Sequence, residues 1–188
     1  IKYQDINNDN LISSNTDRVI LGGSLPRYSY GGNVRLGYRG IDFSVVIQGV
    51  GKKLSLMPYE QVQPFAEDFG NMPAAMVGRF WSTNNTAEQN ASAMFPRLSR
   101  ASSSNNYAVS DFWLISGAYL RMKNVTLGYT LQPAFLKKWG IKSLRFYGAA
   151  NDLFTIDKFP DYIDADPEAA NFGYPMVQTF MGGAVIRF

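Results

Sequence analysis

The sequence predicts an all-β protein: an antiparallel transmembrane β-barrel, of which this chain holds the last about five strands with long extracellular loops. Three observations carry the prediction. Apolar residues recur with period two, the alternating runs outlast globular strands, and charge is sparse while aromatics are abundant. Of the 188 residues, 46% are hydrophobic, 14% aromatic and 18% charged. A soluble surface usually carries roughly 25–35% charged residues, and no apolar run approaches the ~20 residues of a spanning helix. Alternating walls average to neutral hydropathy, and the mean hydropathy here is −0.16. A soluble β-sandwich shares this composition, so the pattern along the chain must decide.

Residues 1–29 form the first loop. Within it Asp5, Asn7 and Asp9, with the Leu11 carbonyl, follow the one-three-five-seven spacing of a calcium loop. Asn10 stands where such a loop has Gly, and Thr16 occupies position twelve with Asp17 one residue late. The other reading is a surface turn whose Asn and Asp side chains bond their own backbone. Structural calcium is the one cofactor that the residues call to mind. Cysteine and histidine are absent, which removes thiolate chemistry and the commonest general base and transition-metal ligand.

The strands come next. Over 30–38, Tyr30, Val34, Leu36 and Tyr38 alternate against Asn33, Arg35 and Gly37; over 41–50, Ile41, Phe43, Val45 and Ile47 oppose Asp42, Ser44, Val46 and Gln48. Arg39-Gly40 between them is a tight turn that makes a hairpin. Strand 118–130 puts Val125, Leu127 and Tyr129 on one side and Asn124, Thr126 and Gly128 on the other. Strand 142–155 sets Leu144, Phe146 and Gly148 against Arg145, Tyr147 and Asn151, and 176–188 sets Phe180, Ala184, Ile186 and Phe188 against Val185 and Arg187. Globular strands average about five or six residues, whereas a tilted membrane strand needs ~9–11.

In the barrel reading Val34, Leu36, Phe43, Val45, Val125, Leu127, Phe146, Ile186 and Phe188 face lipid. Arg35, Gln48, Asn124, Arg145, Tyr147, Asn151 and Arg187 face the lumen, where polar residues meet water or a plug. Strict alternation puts Arg121 and Lys123 on the lipid side, with Arg121 roughly 20 Å above Tyr129, within reach of a headgroup layer for long side chains. Phe188, preceded by alternating apolar residues, resembles the assembly signal of bacterial outer-membrane proteins, which implies a periplasmic C-terminus. Counting back makes Arg39-Gly40 and Leu131–Ile141 periplasmic turns and 1–29, 51–117 and 156–175 extracellular loops. Short turns on one side and long loops on the other is the asymmetry of such barrels.

Two further loops hold candidate sites. Loop 51–117 carries Phe65, Phe80 and Trp81 among prolines, a pattern of short helical turns. Long loops of this kind usually carry function, here partner docking or ligand contact. Trp81 and Trp113 are candidates for stacking on a sugar, with packing in a loop core as the plain alternative. Loop 156–175 gathers acids around Tyr162, and Asp161, Tyr162 and Asp164 are its candidates for contact with a ligand or a partner. A glycosidase pair is disfavoured, because no apolar pocket that raises one carboxyl pKa is identifiable. The 18 basic residues are scattered, so nucleic acid is not an expected partner.

The stretch 117–131, GAYLRMKNVTLGYTL, is similar to the segment SYLRLKNVTLGYTLP of SusC/RagA-type TonB-dependent transporters. Other stretches resemble that family in the same order: YQDINNDN at 3–10 with Asp17-Arg18, PRYSYG at 26–31, GIDFS at 40–44, NDLFT at 151–155 and the closing GGAVIRF at 182–188. Two departures stand out. Pro133 comes one residue later than the family's Leu-Pro, and the family's YPGYDPE loop reads FPDYIDADPE at 159–168, longer and more acidic. The resemblance implies a barrel of about 22 strands filled by an N-terminal plug that is not in this chain. It also implies a bacterial outer membrane of lipid and lipopolysaccharide, a SusD-like lipoprotein at the extracellular face, and energy from the TonB complex. The activity implied is import of oligosaccharide or peptide fragments, and not catalysis. Five strands cannot close a barrel, for which the smallest examples use about eight, so the chain is expected to be a piece of a longer protein. The alternative from the residues alone is a soluble β-sandwich that binds carbohydrate.

Overall fold

A computed structural model describes residues 1–57, 62–65, 70–99, 105–132, 134–163, 165–169 and 173–188. Its strands are β1 (Tyr28–Tyr38), β2 (Ile41–Gly51), β3 (Leu54–Leu56), β4 (Leu114–Ser116), β5 (Tyr119–Leu131), β6 (Ser143–Asn151), β7 (Thr155–Asp157) and β8 (Thr179–Arg187). The long strands pair in the order β1-β2-β5-β6-β8, every neighbour antiparallel; β7 pairs with β5, and β3 with β4 in a separate small sheet. No described helix is long and apolar enough to cross a membrane, a statement about helices alone. The chain divides into two compact units, one of Leu25–Lys53, Ser116–Phe159 and Ala165–Phe188, the other of Ile1–Ser24, Leu54–Ile115 and Pro160–Asp164.

The first unit is the large sheet. Its β1–β2 hairpin closes on Arg39 at φ 48° and Gly40 at φ 87°, the pair of positive φ values that a two-residue primed turn requires. Gly40 is also held by its neighbour: the Thr130 N–H donates to its carbonyl at 2.7 Å, and a Cβ there would lie 2.7 Å from the Thr130 carbonyl oxygen. Register then carries each face across the sheet. Leu36, Phe43, Leu127, Gly148 and Gly182 form one row, and Arg35, Ser44, Thr126, Ala149 and Met181 form a row on the opposite side. The apolar side chains do not enclose a core. Leu127 is 56% exposed, Phe146 49%, Phe180 69% and Ile186 49%.

Two departures from simple alternation reshape one end of this sheet. Val46 pairs with Asn124 but Ile47 pairs with Met122, so Lys123 is an extra residue in β5. A β-bulge of one residue reverses side-chain parity beyond it. Arg121 therefore stands opposite Gln48, on the face of Asn124 and Thr126. The expectation that Arg121 shares a face with Val125, Leu127 and Tyr129 is overturned for that reason. The strand expected over 142–155 is likewise divided. It stops at Asn151, turns at Asp152 with φ 49°, and resumes as Thr155–Asp157 against Tyr119–Arg121.

In the second unit large apolar residues are buried. Val62, Met76, Phe95 and Trp113 make its core, with Met57, Phe80, Leu98 and Tyr162 packed around them. The expected helical turns are present as 3-10 segments Ala74–Met76 and Asp111–Trp113 and a helix Ala87–Ala91. That helix starts where it does because Thr86 and Gln89 form a reciprocal capping box, which satisfies donors the helix itself leaves open.

Candidate functional site

The polar face of the sheet carries two charge constellations, both set by strand geometry. The first follows from the bulge at Lys123. With its parity reversed, the Arg121 side chain is 4% exposed, and its guanidinium meets Asp166 Oδ1 at 2.6 Å and Glu168 Oε2 at 2.7 Å. Its Nε donates to Thr155 Oγ1 at 2.7 Å, and Asp152 lies 4.0 Å away. Lys123, on the bulge itself, lies 2.7 Å from Asp152 Oδ1 and 3.1 Å from Glu168 Oε2. The contact to Asp152 Oδ1 is an ion pair without an aligned hydrogen bond.

A buried guanidinium without partners would be very costly, so the two acids and the threonine hydroxyl are what allow Arg121 to be interior. Asp166 is held as firmly. Burial pushes its carboxyl up, but hydrogen bonds from Arg121 and from the backbone N–H groups of Glu168 and Met176 outweigh that and hold it below the ordinary carboxylate range. Segment 165–169 is thereby pinned to β5 by charge.

The second constellation crosses three strands. Arg145 on β6 reaches over β5 to Asp42 on β2, with Nε to Oδ1 at 2.9 Å and Nη2 to Oδ2 at 2.5 Å. It can do so because Gly128 lies beneath; a Cβ there would collide with Arg145 Nη2 and sit 2.6 Å from Asp42 Oδ1. Tyr147 lies under the same guanidinium at 5.2 Å, and Asn124 donates to Asn151 at 2.7 Å on the same face. Arg35, Gln48 and Arg187 join that face by register, opposite Ser44, Arg121 and Ser143. The residues assigned to the other face are also together: Val34, Val45 and Val125 are neighbours in one row, and further along the same face Phe146 pairs with Tyr129 and Ile186 with Leu144. Phe188 lies beyond β8 and is exposed.

The loop candidates separate. Trp113 is 3% exposed, stacks on Tyr107 at 5.3 Å and donates Nε1 to the Asn106 carbonyl at 2.8 Å. That corrects its reading as a stacking platform, because its ring faces are taken up by the loop core. Trp81 keeps 40% of its surface, so of the two tryptophan candidates it is the exposed one. Tyr162 packs edge-on to Phe95 at 5.3 Å with Arg79 at 5.8 Å, and burial pushes its hydroxyl pKa up. Asp161 is exposed, and Asp164 lies outside the described residues. The acidic run thus does two jobs: Tyr162 joins a hydrophobic core while Asp166 and Glu168 neutralise cations. Asp152 was the member that sequence reasoning missed. Its signal is the NDLF corner, which makes an acid follow the strand bearing Asn151.

In the first loop, Asp5 accepts the backbone N–H groups of Asn8 and Asn10 at 2.7 and 2.8 Å, and Asp9 accepts those of Leu11 and the Asn7 amide at 2.8 and 2.9 Å. Asp17 accepts from Ser13 and Ile6 at 2.7 and 2.8 Å, backbone bonds that hold its carboxyl below the ordinary range. These carboxylates are turned onto their own backbone. Among the described residues, no group of three or more acids is gathered as a metal site.

No family model matches the chain. Among curated proteins, it is 30% identical, over an alignment 203 positions long, to TonB-dependent receptor P3 of Formosa agariphila, covering 99% of this chain and 19% of that protein. TonB-dependent receptors P26 and P39 of the same organism are 27% and 24% identical, over 92% of the chain in each case. The chain therefore spans less than a fifth of these relatives, 19%, 16% and 16% of their lengths. Among solved structures it superposes on the RagAB peptide importer in its open-open state with TM-score 0.67 and on the RagAB peptide transporter with TM-score 0.69, each at 20% identity, covering 95% and 93% of the chain and 19% of those proteins. All these names are those of receptors and transporters. With its antiparallel sheet and open apolar face, the chain has the fold of a stretch of the RagAB importer, and by sequence it belongs to the TonB-dependent receptors.

Proposed function

We propose that this chain is part of the wall of a TonB-driven importer of oligomeric nutrients in a bacterial outer membrane, with a SusD-like lipoprotein on its extracellular face. The observation that carries the reading is the inversion of the sheet. Leu127 and Phe180 are more than half exposed while Arg121 is 3% exposed, the reverse of a water-soluble sheet and the order that lipid outside and water inside require. In this reading Val34, Leu36, Phe43, Val45, Val125, Leu127, Phe146, Ile186 and Phe188 meet lipid, and Arg35, Gln48, Asn124, Arg145, Tyr147, Asn151 and Arg187 meet the lumen. The C-terminus is periplasmic, and the loop unit faces the outside. There Trp81 and Asp161 are the residues open to the lipoprotein or the ligand.

The soluble sandwich has weaker support, because it needs Leu127, Phe146 and Ile186 around a shared dry centre. Calcium at Asp5, Asn7 and Asp9 is also the weaker reading, since those oxygens already accept N–H donors, Asn7 Oδ1 from the Asp9 N–H. Substrate class is tested with both candidates. Cells lacking the intact receptor are supplied with oligopeptides or with oligosaccharides as sole nutrient. Loss of growth on one of them, reproduced by loss of TonB, supports import and names the class. Recovery of the intact protein in the soluble fraction sinks the proposal.

A further inference from the structure

One end of the large sheet combines three features that the import reading does not use. The turn between β5 and β6 leaves Trp139 79% exposed, next to exposed Lys137 and Lys138 and close in sequence to exposed Lys142. No acid occurs anywhere between Asp111 and Asp152, so nothing within the turn neutralises these lysines; Lys142 donates to the Phe188 main-chain oxygen at 3.0 Å. Near the ends of β5 and β6 that border the turn, the apolar face is indented. An open depression of about 700 Å³ is lined by Ile41, Leu127, Tyr129 and Phe146 around Gly148. Gly148 makes the space, since a Cβ on it would meet nothing within 4 Å. Phe146 lies roughly 13 Å along the strand from Lys142, less than the length of an acyl chain.

We propose that this end of the sheet is a binding site for one anionic phospholipid, its phosphate held by Lys137 and Lys138, its glycerol backbone beside Trp139, and one acyl chain lying in the depression over Gly148. The chemistry is matched at each level. Ammonium groups on flexible stems attract a phosphate as point charges. An exposed indole has its lowest free energy where an apolar body and a polar edge are both satisfied, at the headgroup boundary. A glycine-floored trough between Leu127 and Phe146 offers contact to a methylene chain that a flat wall lacks. The proposal rests on the barrel reading, and its test is chosen so that the two fail differently.

The intact receptor, purified in detergent, is exposed to equal amounts of phosphatidylglycerol and phosphatidylcholine, and retained lipid is counted by native mass spectrometry. Retention of phosphatidylglycerol over phosphatidylcholine is expected on the order of tenfold. It should fall toward equality in K137Q/K138Q and drop for both lipids in G148L, which fills the trough without a clash. In bilayers, emission lost in W139F should be quenched by lipids brominated near the glycerol, whereas a tryptophan introduced as L127W should be quenched by bromines deep in the chains. Equal retention of the two lipids by the native protein overturns the proposal. So does a Trp139 that no brominated lipid quenches, whether water or a protein partner covers it. If L127W escapes deep quenching as well, the barrel reading itself has failed.

Discussion

The two units of this chain obey opposite rules. In the loop unit, Met76 is fully buried and Trp113 nearly so, and the core around them is held by the hydrophobic effect. In the sheet, large apolar groups such as Leu127 and Phe180 are on the surface, while the guanidinium of Arg121 is buried. One polypeptide therefore reads as two solvents. Hydrophobic periodicity reports that a segment has two faces, and only the exposure of those faces reports what each is dissolved in. The charges tell the same story: in the sheet they converge at Arg121, where hydrogen-bonded partners replace water, and at Arg145, whose pair with Asp42 stays partly exposed.

This contrast can be broken at several points. Trp113→Ala should be the most damaging change to the loop unit, at about 4 kcal/mol for an emptied aromatic site. Limited proteolysis of the intact protein should then cut within 54–115 while the sheet stays resistant. Arg121→Ala leaves Asp166 and Glu168 buried without their main cation and should cost about 3 kcal/mol. Equilibrium unfolding in lipid measures it, and a loss below about 1 kcal/mol would mean that the cluster is wet and surface-like. An arginine at an exposed apolar position separates the two solvents most directly. Leu127→Arg should cost roughly 2–4 kcal/mol in a bilayer, whereas Val109→Arg in the loop unit, at a residue 77% exposed, should be within about 0.5 kcal/mol of neutral. Equal small effects at both positions would erase the distinction.

Smaller effects sharpen the picture. Gly128→Val pushes apart Arg145 and Asp42 and should cost about 2 kcal/mol by overpacking, with Arg145→Ala removing most of that penalty in a double-mutant cycle. The sign of the acid effect follows from Asp166. Its folded pKa is depressed, so its contribution is complete above the unfolded value near 3.9 and is lost as pH falls through the lowered folded value. The protection factors of the amides in segment 165–169, with the intrinsic pH dependence of exchange divided out, should therefore stay constant across neutral pH and fall only in strong acid, before the sheet itself opens.

Much of the sheet was legible in the sequence. Alternation from Val34 to Leu36, from Phe43 to Ile47 and from Leu127 to Tyr129 assigns faces without coordinates, and Arg39-Gly40 marks its turn because only a pair of positive φ values joins adjacent antiparallel strands so tightly. Trp113 was ambiguous for a different reason. An aromatic suits a core or a ligand platform equally well, and what decided between them was the set of rings, Tyr107 and Phe112, that folding brought against it.

By itself, then, the sequence determined that these strands have an apolar side and a polar side, that a tight turn joins the first two, and that acids collect after residue 151. Those are local properties, set by side-chain spacing and composition. Tertiary structure decided where Lys123 is accommodated. A bulge exists only relative to a partner strand, so no inspection of β5 alone reveals that Val46 and Ile47 step past one residue too many. That single mismatch turns Arg121 from an outward cation into the interior anchor of segment 165–169, because beyond it every side chain points the other way.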